Sequence, residues 1–240
     1  MGKRQATRKS PRPRRGAAWV REQALRVNAA LAKAYPEAHC WLYFRSPHEL
    51  LVATILSAQC TDARVNKVTP GLFRAYPDVR AFAAADLKDL ERAIQSTGFF
   101  RNKARSILES SKDIVAKHGG EVPRTLEELT ALRGVGRKTA NVVLGNAFDT
   151  PGMVVDTHVG RIARRLGLTR HEDPVKVEFD LMKLLPPRDW VAFGHRTIAH
   201  GRKFCKAPAP RCGGCPLEAL CPHEPKVFVK RSGEKSPNEL

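Results

Sequence analysis

Apolar runs are short throughout the 240 residues, and none approaches the ~20 residues of a membrane-spanning helix. Met1 to Gly16 contains no apolar h-region, which argues against a secretory signal. Acid is missing there as well. Lys3, Arg4, Arg8, Lys9, Arg12, Arg14 and Arg15 stand with no Asp or Glu among them. Stretches alternating with period two are nearly absent. Trp41-Leu42-Tyr43-Phe44 and Met153-Val154-Val155 are the two candidates for extended chain, and each is short and isolated. Walker spacing is absent too, which removes the common nucleotide-phosphate loop.

What is present fits a globular chain. Hydrophobic residues make up 42%, against wholesale disorder, and the length allows one or two domains with a core that needs no disulfides. Six cysteines without a secretion route point to a reducing compartment, where thiols hold metal more often than they pair. The net charge is +18, and discounting the seven cations of the first sixteen residues still leaves +11 on the body. A cationic body suits a polyanion. No strongly amphipathic basic helix supports a membrane surface, so nucleic acid is the expected partner.

Residues 1–17 read as a disordered basic tail. From Trp19 onward helical punctuation recurs. Ser46-Pro47-His48-Glu49 is a capping box with Pro at the first helical position. Asp86, Thr125 and Asp173 open further helices; Gly98, the Gly119-Gly120 pair and the Pro186-Pro187 pair close others. The pattern predicts an all-α fold of about ten short helices.

Leu132-Arg133-Gly134-Val135-Gly136-Arg137-Lys138-Thr139-Ala140 joins two helical patterns. Two glycines in a tight interhelical turn permit positive φ and close approach, and they leave outward amides at a helix N-terminus. A plain helical turn would look the same from G-x-G alone. Arg137 beside it, in a chain of this charge, favours phosphate. Lys138 falls in the first turn, where the macrodipole and any burial disfavour its charged form; a neutral amine is a nucleophile able to form a Schiff base. The bland alternative is an exposed, phosphate-binding lysine. Asp156 follows Val154-Val155 and precedes a helical pattern, so it reads as an N-cap. At the floor of a desolvated cleft, the same carboxylate would stabilise a cationic sugar.

Cys205, Cys212, Cys215 and Cys221 follow C-x6-C-x2-C-x5-C within seventeen residues that hold too little apolar surface for a core. A metal staple is expected, and the spacing alone leaves zinc and a [4Fe–4S] cluster both open. Cys40 and Cys60 lie outside the pattern and read as small buried hydrophobes.

The hairpin segment Leu-x-Gly-Val-Gly-Arg-Lys-Thr-Ala resembles the helix–hairpin–helix of the endonuclease III family of DNA glycosylases, with Arg133 where that family commonly has Pro. The similarity runs from about Ser46 to Cys221. It implies a two-domain helical fold with DNA across the cleft: residues 46–153 as one domain, 18–45 with 154–225 as the other, and 226–240 as a tail. It implies Lys138 and Asp156, eighteen residues apart, as the catalytic pair, and His158 in the same pocket, where a satisfied core histidine is the alternative. It selects [4Fe–4S] for the four cysteines, with Lys206 and Arg211 on a DNA-facing loop and Gly134, Gly136 and Arg137 on phosphate. Gln59, in Leu56-Ser57-Ala58-Gln59-Cys60, matches the residue that fills the gap left by an extruded base, and Phe99 takes the wedge position. A polar helix end and a core anchor are their ordinary readings.

The function implied is a bifunctional glycosylase and abasic-site lyase, removing oxidised pyrimidines from double-stranded DNA and nicking 3′ to the site. The chain is expected to work as a monomer, off the membrane, in the cytoplasm at the nucleoid or in a nucleus. A monofunctional mismatch glycosylase and a non-catalytic hairpin protein with a structural metal are the rival readings.

Overall fold

The computed structural model describes residues 16–228, so residues 1–15 and 229–240, the bulk of both expected tails, lie outside the described residues. Eleven α-helices run in order among these: α1 Ala17–Ala34, α2 Pro47–Leu56, α3 Asp62–Ala75, α4 Val79–Ala83, α5 Leu87–Ile94, α6 Phe100–His118, α7 Leu126–Ala131, α8 Arg137–Ala147, α9 Thr157–Arg165, α10 Pro174–Leu184 and α11 Trp190–Lys203. Short 3₁₀ turns occupy Gln95–Thr97, Pro187–Asp189 and Glu218–Leu220. No strand forms among the described residues; neither extended segment finds a second one to pair with. The fold is all-α.

Local chemistry sets the helix starts. Ser46 Oγ accepts from Glu49 N at 3.1 Å with Pro47 in the first turn, and Thr125 Oγ1 accepts from Glu128 N at 3.2 Å. Asp86 and Asp173 cap α5 and α10 in the same way. Each such bond satisfies an otherwise orphaned amide and contributes about 1 kcal/mol.

The buried apolar residues divide into two clusters. One is built from α2 to α8 around Leu50, Leu56, Phe82, Ile94, Ile107, Leu129 and Leu144. The other joins α1 to α9, α10 and α11 through Val27, Leu31, Val159, Ile162, Val177, Leu181 and Phe193. Burying each large side chain contributes about 1.5–3 kcal/mol. Leu42 belongs to the first cluster and Met153 to the second. Residues 226–228 are tied down rather than a tail: Cys212 N donates to Val227 O at 2.9 Å, and Lys226 Nζ to Glu218 O at 3.2 Å.

Candidate active site

The hairpin is held from beneath by α6. Gly134 has φ +78°, and a β-carbon there would lie 2.4 Å from Ser106 Oγ, so only glycine fits. Arg133 anchors the same turn. Its backbone N donates to Asp113 Oδ2 at 3.1 Å, and its guanidinium lies 2.6 Å from Glu109 Oε2. The position where proline would supply stiffness thus gets its rigidity from ion pairs to α6. Gly136 is the N-cap of α8 and offers no side chain to its first amides. Those amides, with the macrodipole behind them, form an anion site open to solvent.

Arg137 departs from the sequence expectation. Its guanidinium donates to both carboxylate oxygens of Glu178 at 2.7–3.0 Å and packs over Phe179. Glu178 is buried on α10 and also accepts from Asn141 Nδ2 at 3.2 Å. Arg137 therefore links the hairpin helix to the second core instead of projecting free toward solvent.

Lys138, on the next position of α8, is exposed and lines a cleft of about 430 Å³. Asp156, His158, Gln59, Cys60, Asp62, Trp41, His195 and Arg202 line the same cleft. The fold does not bury the lysine, contrary to the expected desolvation. Asp156 is half-buried and does cap α9, with Oδ1 accepting from Val159 N at 2.8 Å. That bond fixes the carboxylate at the helix N-terminus with its second oxygen outside the cap.

His158 sits two residues further, in the first turn of α9. Arg161 can only donate, so the 3.0 Å contact from its Nη2 makes His158 Nδ1 an acceptor and puts the proton on Nε2. Burial pushes His158 below its ordinary pKa. Asp156 opposes that shift, whereas Arg161, Arg202 and Lys138 reinforce it. Gly201 on α11 makes room for the ring, since a β-carbon there would lie 2.4 Å from Nδ1. Across the cleft, Arg202 Nη2 meets Asp62 Oδ2 at 2.6 Å, joining α11 to the start of α3.

Gln59 and Phe99 share a conformation that side chains rarely adopt, with φ +52° and +48°. Gln59 is exposed between α2 and α3, and Phe99 is 63% exposed at the start of α6, which sets aside the core-anchor reading. Both line a second groove, with Gly134 and Asn102, so Gln59 belongs to cleft and groove together. Sequence reasoning missed the residue that joins their loops. Lys103 is buried, and its Nζ donates at 2.8 Å to Leu56 O and at 2.8 Å to Thr97 O. A lysine on the buried face of a helix was the available signal. Cys40 and Cys60 also differ from expectation: both are half-buried and line the cleft.

Cys205, Cys212, Cys215 and Cys221 are free thiols lining one small cavity with Ile162 and Leu217. Burial pushes Cys215 up to about 11, and its three neighbours push in the same direction. Such a set needs cationic compensation to ionise together. Among the described residues no three His, Cys, Asp or Glu groups converge on one point where a single ion would sit. The loop is pinned by Arg161 and Arg165, which donate to Cys205 O, Lys206 O and Ala207 O at 2.8–3.1 Å. Lys206 and Arg211 stand exposed upon it.

Residues 52–187 match the family model of the HhH-GPD superfamily base excision DNA repair protein. Endonuclease III of Synechocystis sp. is 54% identical over 203 residues, covering 84% of this chain and 93% of the relative. Endonuclease III of Bacillus subtilis is 49% identical over 202 residues, covering 82% and 92%. A solved non-covalent endonuclease III–DNA complex superposes with a TM-score of 0.81 at 48% identity, over 84% of this chain and 95% of that one. A trapped endonuclease III–DNA covalent intermediate matches with the same figures. With its hairpin, paired lysine and aspartate and four-cysteine loop on that scaffold, the chain belongs to the endonuclease III family of the HhH-GPD superfamily.

Proposed function

We propose that this chain, a DNA glycosylase and abasic-site lyase for oxidised pyrimidines, does both steps in the cleft shared by Lys138 and Asp156. The hairpin amides bind the phosphate backbone of a duplex, assisted by exposed Lys206 and Arg211. The damaged nucleotide rotates out of the stack, Gln59 enters the gap, and Phe99 wedges the neighbouring step. Left-handed backbone at both residues fits loops held ready to insert side chains.

In the cleft, the uncharged Lys138 Nζ attacks C1′ and the base departs with the electron pair of the glycosidic bond. Asp156 offsets the positive charge that develops on the sugar. Loss of water across the nitrogen's new bond is not required: ring opening of the sugar gives the imine directly. The imine then acidifies C2′, removal of that proton drives expulsion of the 3′ phosphate, and the strand is nicked. Because Lys138 is exposed in the free chain, its desolvation has to come from the bound duplex. His158, fixed as an Nδ1 acceptor, carries its hydrogen on Nε2 and lines the same cleft as both groups.

The four thiols would hold a [4Fe–4S] cluster, the assignment that membership of the family favours over zinc. When bound, the cluster staples the loop that carries Lys206 and Arg211. An absorption band near ~400 nm that disappears in Cys212→Ser would identify it, and colourless, zinc-loaded protein would refute it. The relatives are bacterial, and work on duplex DNA at the nucleoid, by one copy of the chain that supplies every residue named, is the matching proposal.

The observation carrying this reading is the placement of Lys138 and Asp156 on one cleft. Borohydride should trap wild type on a lesion-bearing duplex, and Lys138→Ala should abolish trapping while retaining duplex binding. Undiminished trapping by that variant would overturn the assignment.

A further inference from the structure

We infer that Trp41 forms the stacking wall for the extruded base and biases this enzyme toward oxidised pyrimidines that remain planar. The inference rests on the cleft reading given above. Trp41 is 45% exposed in the free chain, and what it lines is the cleft of Lys138 and Asp156. The exposed part of the indole offers a base apolar surface to cover. Trp41 is the largest planar group on that wall: the others, His158, His195 and Arg202, are smaller and each is engaged by a neighbour, Arg161, Asn146 and Asp62 respectively.

The ring is held in place. Trp41 O accepts from Asn66 Nδ2 at 2.7 Å, and Asn66 Oδ1 accepts from Tyr43 N at 3.0 Å, so one side chain of α3 clamps the chain on both sides of Leu42. Leu42 is buried in the first core and anchors the middle of that segment. His39 packs against the indole with ring centroids 5.0 Å apart and planes 31° apart. A preorganised aromatic loses little conformational freedom when a base meets it.

Stacking on indole requires a flat partner. A pyrimidine hydroxylated at C5 keeps its aromatic plane. One saturated across C5–C6 is puckered and touches the indole over less area. The wall therefore favours the first class, and an abasic sugar, having no base, gains nothing from it.

The test compares three duplexes, carrying a planar hydroxylated pyrimidine, a ring-saturated pyrimidine and a preformed abasic site, with wild type, Trp41→Ala and Trp41→Phe. Trp41→Ala should lose excision of the planar lesion by about five- to a hundredfold, the range for deleting one base–aromatic stack. The ring-saturated lesion should lose less, abasic-site nicking and borohydride trapping should be unchanged, and Trp41→Phe should recover most of the planar-lesion rate. Equal losses on both lesions, a parallel loss of abasic-site nicking, or no loss at all would each overturn the inference. Failure of wild type to trap on abasic DNA would instead sink the cleft reading beneath it.

Discussion

Gly134→Ala should damage the protein well beyond what one methyl group suggests. The backbone at this position has φ +78°, which costs an L-residue about 1–2 kcal/mol. The added carbon would also lie 2.4 Å from Ser106 Oγ, 2.5 Å from its Cβ and 3.0 Å from its Cα. Rotating the serine relieves only the first of these, so α6 or the hairpin has to move, at an overpacking cost of about 1–3 kcal/mol. The sum is about 2–5 kcal/mol, or about 4–20 °C in Tm for a chain of this size. Gly136→Ala is the control. Nothing lies within 4 Å of its added carbon and its φ is −92°, so the expected cost is that of a poorer N-cap, about 0.5–1 kcal/mol. Combining Gly134→Ala with Ser106→Gly should recover the clash but not the φ penalty, a coupling of about 1–2 kcal/mol once the helix cost of Ser106→Gly alone is subtracted. Urea or thermal unfolding of the four proteins measures these values, and anisotropy on an undamaged duplex measures phosphate binding. A Gly134→Ala protein no less stable than Gly136→Ala, or a double variant without coupling, would refute the claim that α6 shapes the hairpin.

Lys103→Met should cost about 2–3 kcal/mol in urea unfolding by stranding Leu56 O and Thr97 O, and should weaken lesion-specific binding more than binding to intact duplex. Glu178→Ala removes the partner of Arg137 and Asn141; with Arg137 a third exposed, the expected loss is about 2 kcal/mol, and a stable variant would refute the tether. Burial holds both His48 and His195 near a pKa of about 4, below the ordinary 6.5. The unfolded chain therefore binds protons first, and stability should fall as pH drops from about 6.5 toward 4, by up to about 3 kcal/mol per histidine. His48→Gln should flatten that slope, and a slope unchanged in the variant would exclude His48 as its source.

How much of this could be read from sequence depended on the range of the interaction. Caps are local, so Ser46, Thr125 and Asp173 announced their helices through a side chain and an amide three residues away. Lys138 and Asp156 could be picked out because hairpin and N-cap are each local motifs at a fixed interval, and the fold sets both on one cleft. Trp41-Leu42-Tyr43-Phe44 had strand-like composition but no strand to pair with, and it became a clamped loop instead. The bond from Lys103 to Leu56, the pair of Asp62 with Arg202, and the clamp of Asn66 on both sides of Leu42 join residues 23 to 140 positions apart, for which one chain carries no local signal.

Arg133 and Arg137 show why charge near a motif is an incomplete guide. Both flank the hairpin glycines in a chain of net charge +18; the sequence reading sets Arg137 on phosphate, while Arg133 stands where the family commonly has Pro. Each instead meets a buried carboxylate, Asp113 for Arg133 and Glu178 for Arg137. The pull on Asp113 is visible in its pKa: burial raises it, yet hydrogen bonds from Lys117 and Arg133 bring it down to about 2. A carboxylate at 3% side-chain exposure needs a cation, and the nearest arginines are those of the hairpin. The turn is thus tied at one end to α6 and at the other to α10, which leaves the uncapped amides of α8 as its free anion-binding groups and Lys138 as the exposed amine beside them. Rigid placement of a hairpin beside one exposed amine suits a hairpin that serves chemistry. A hairpin built only for affinity would keep both guanidinium groups for the phosphates.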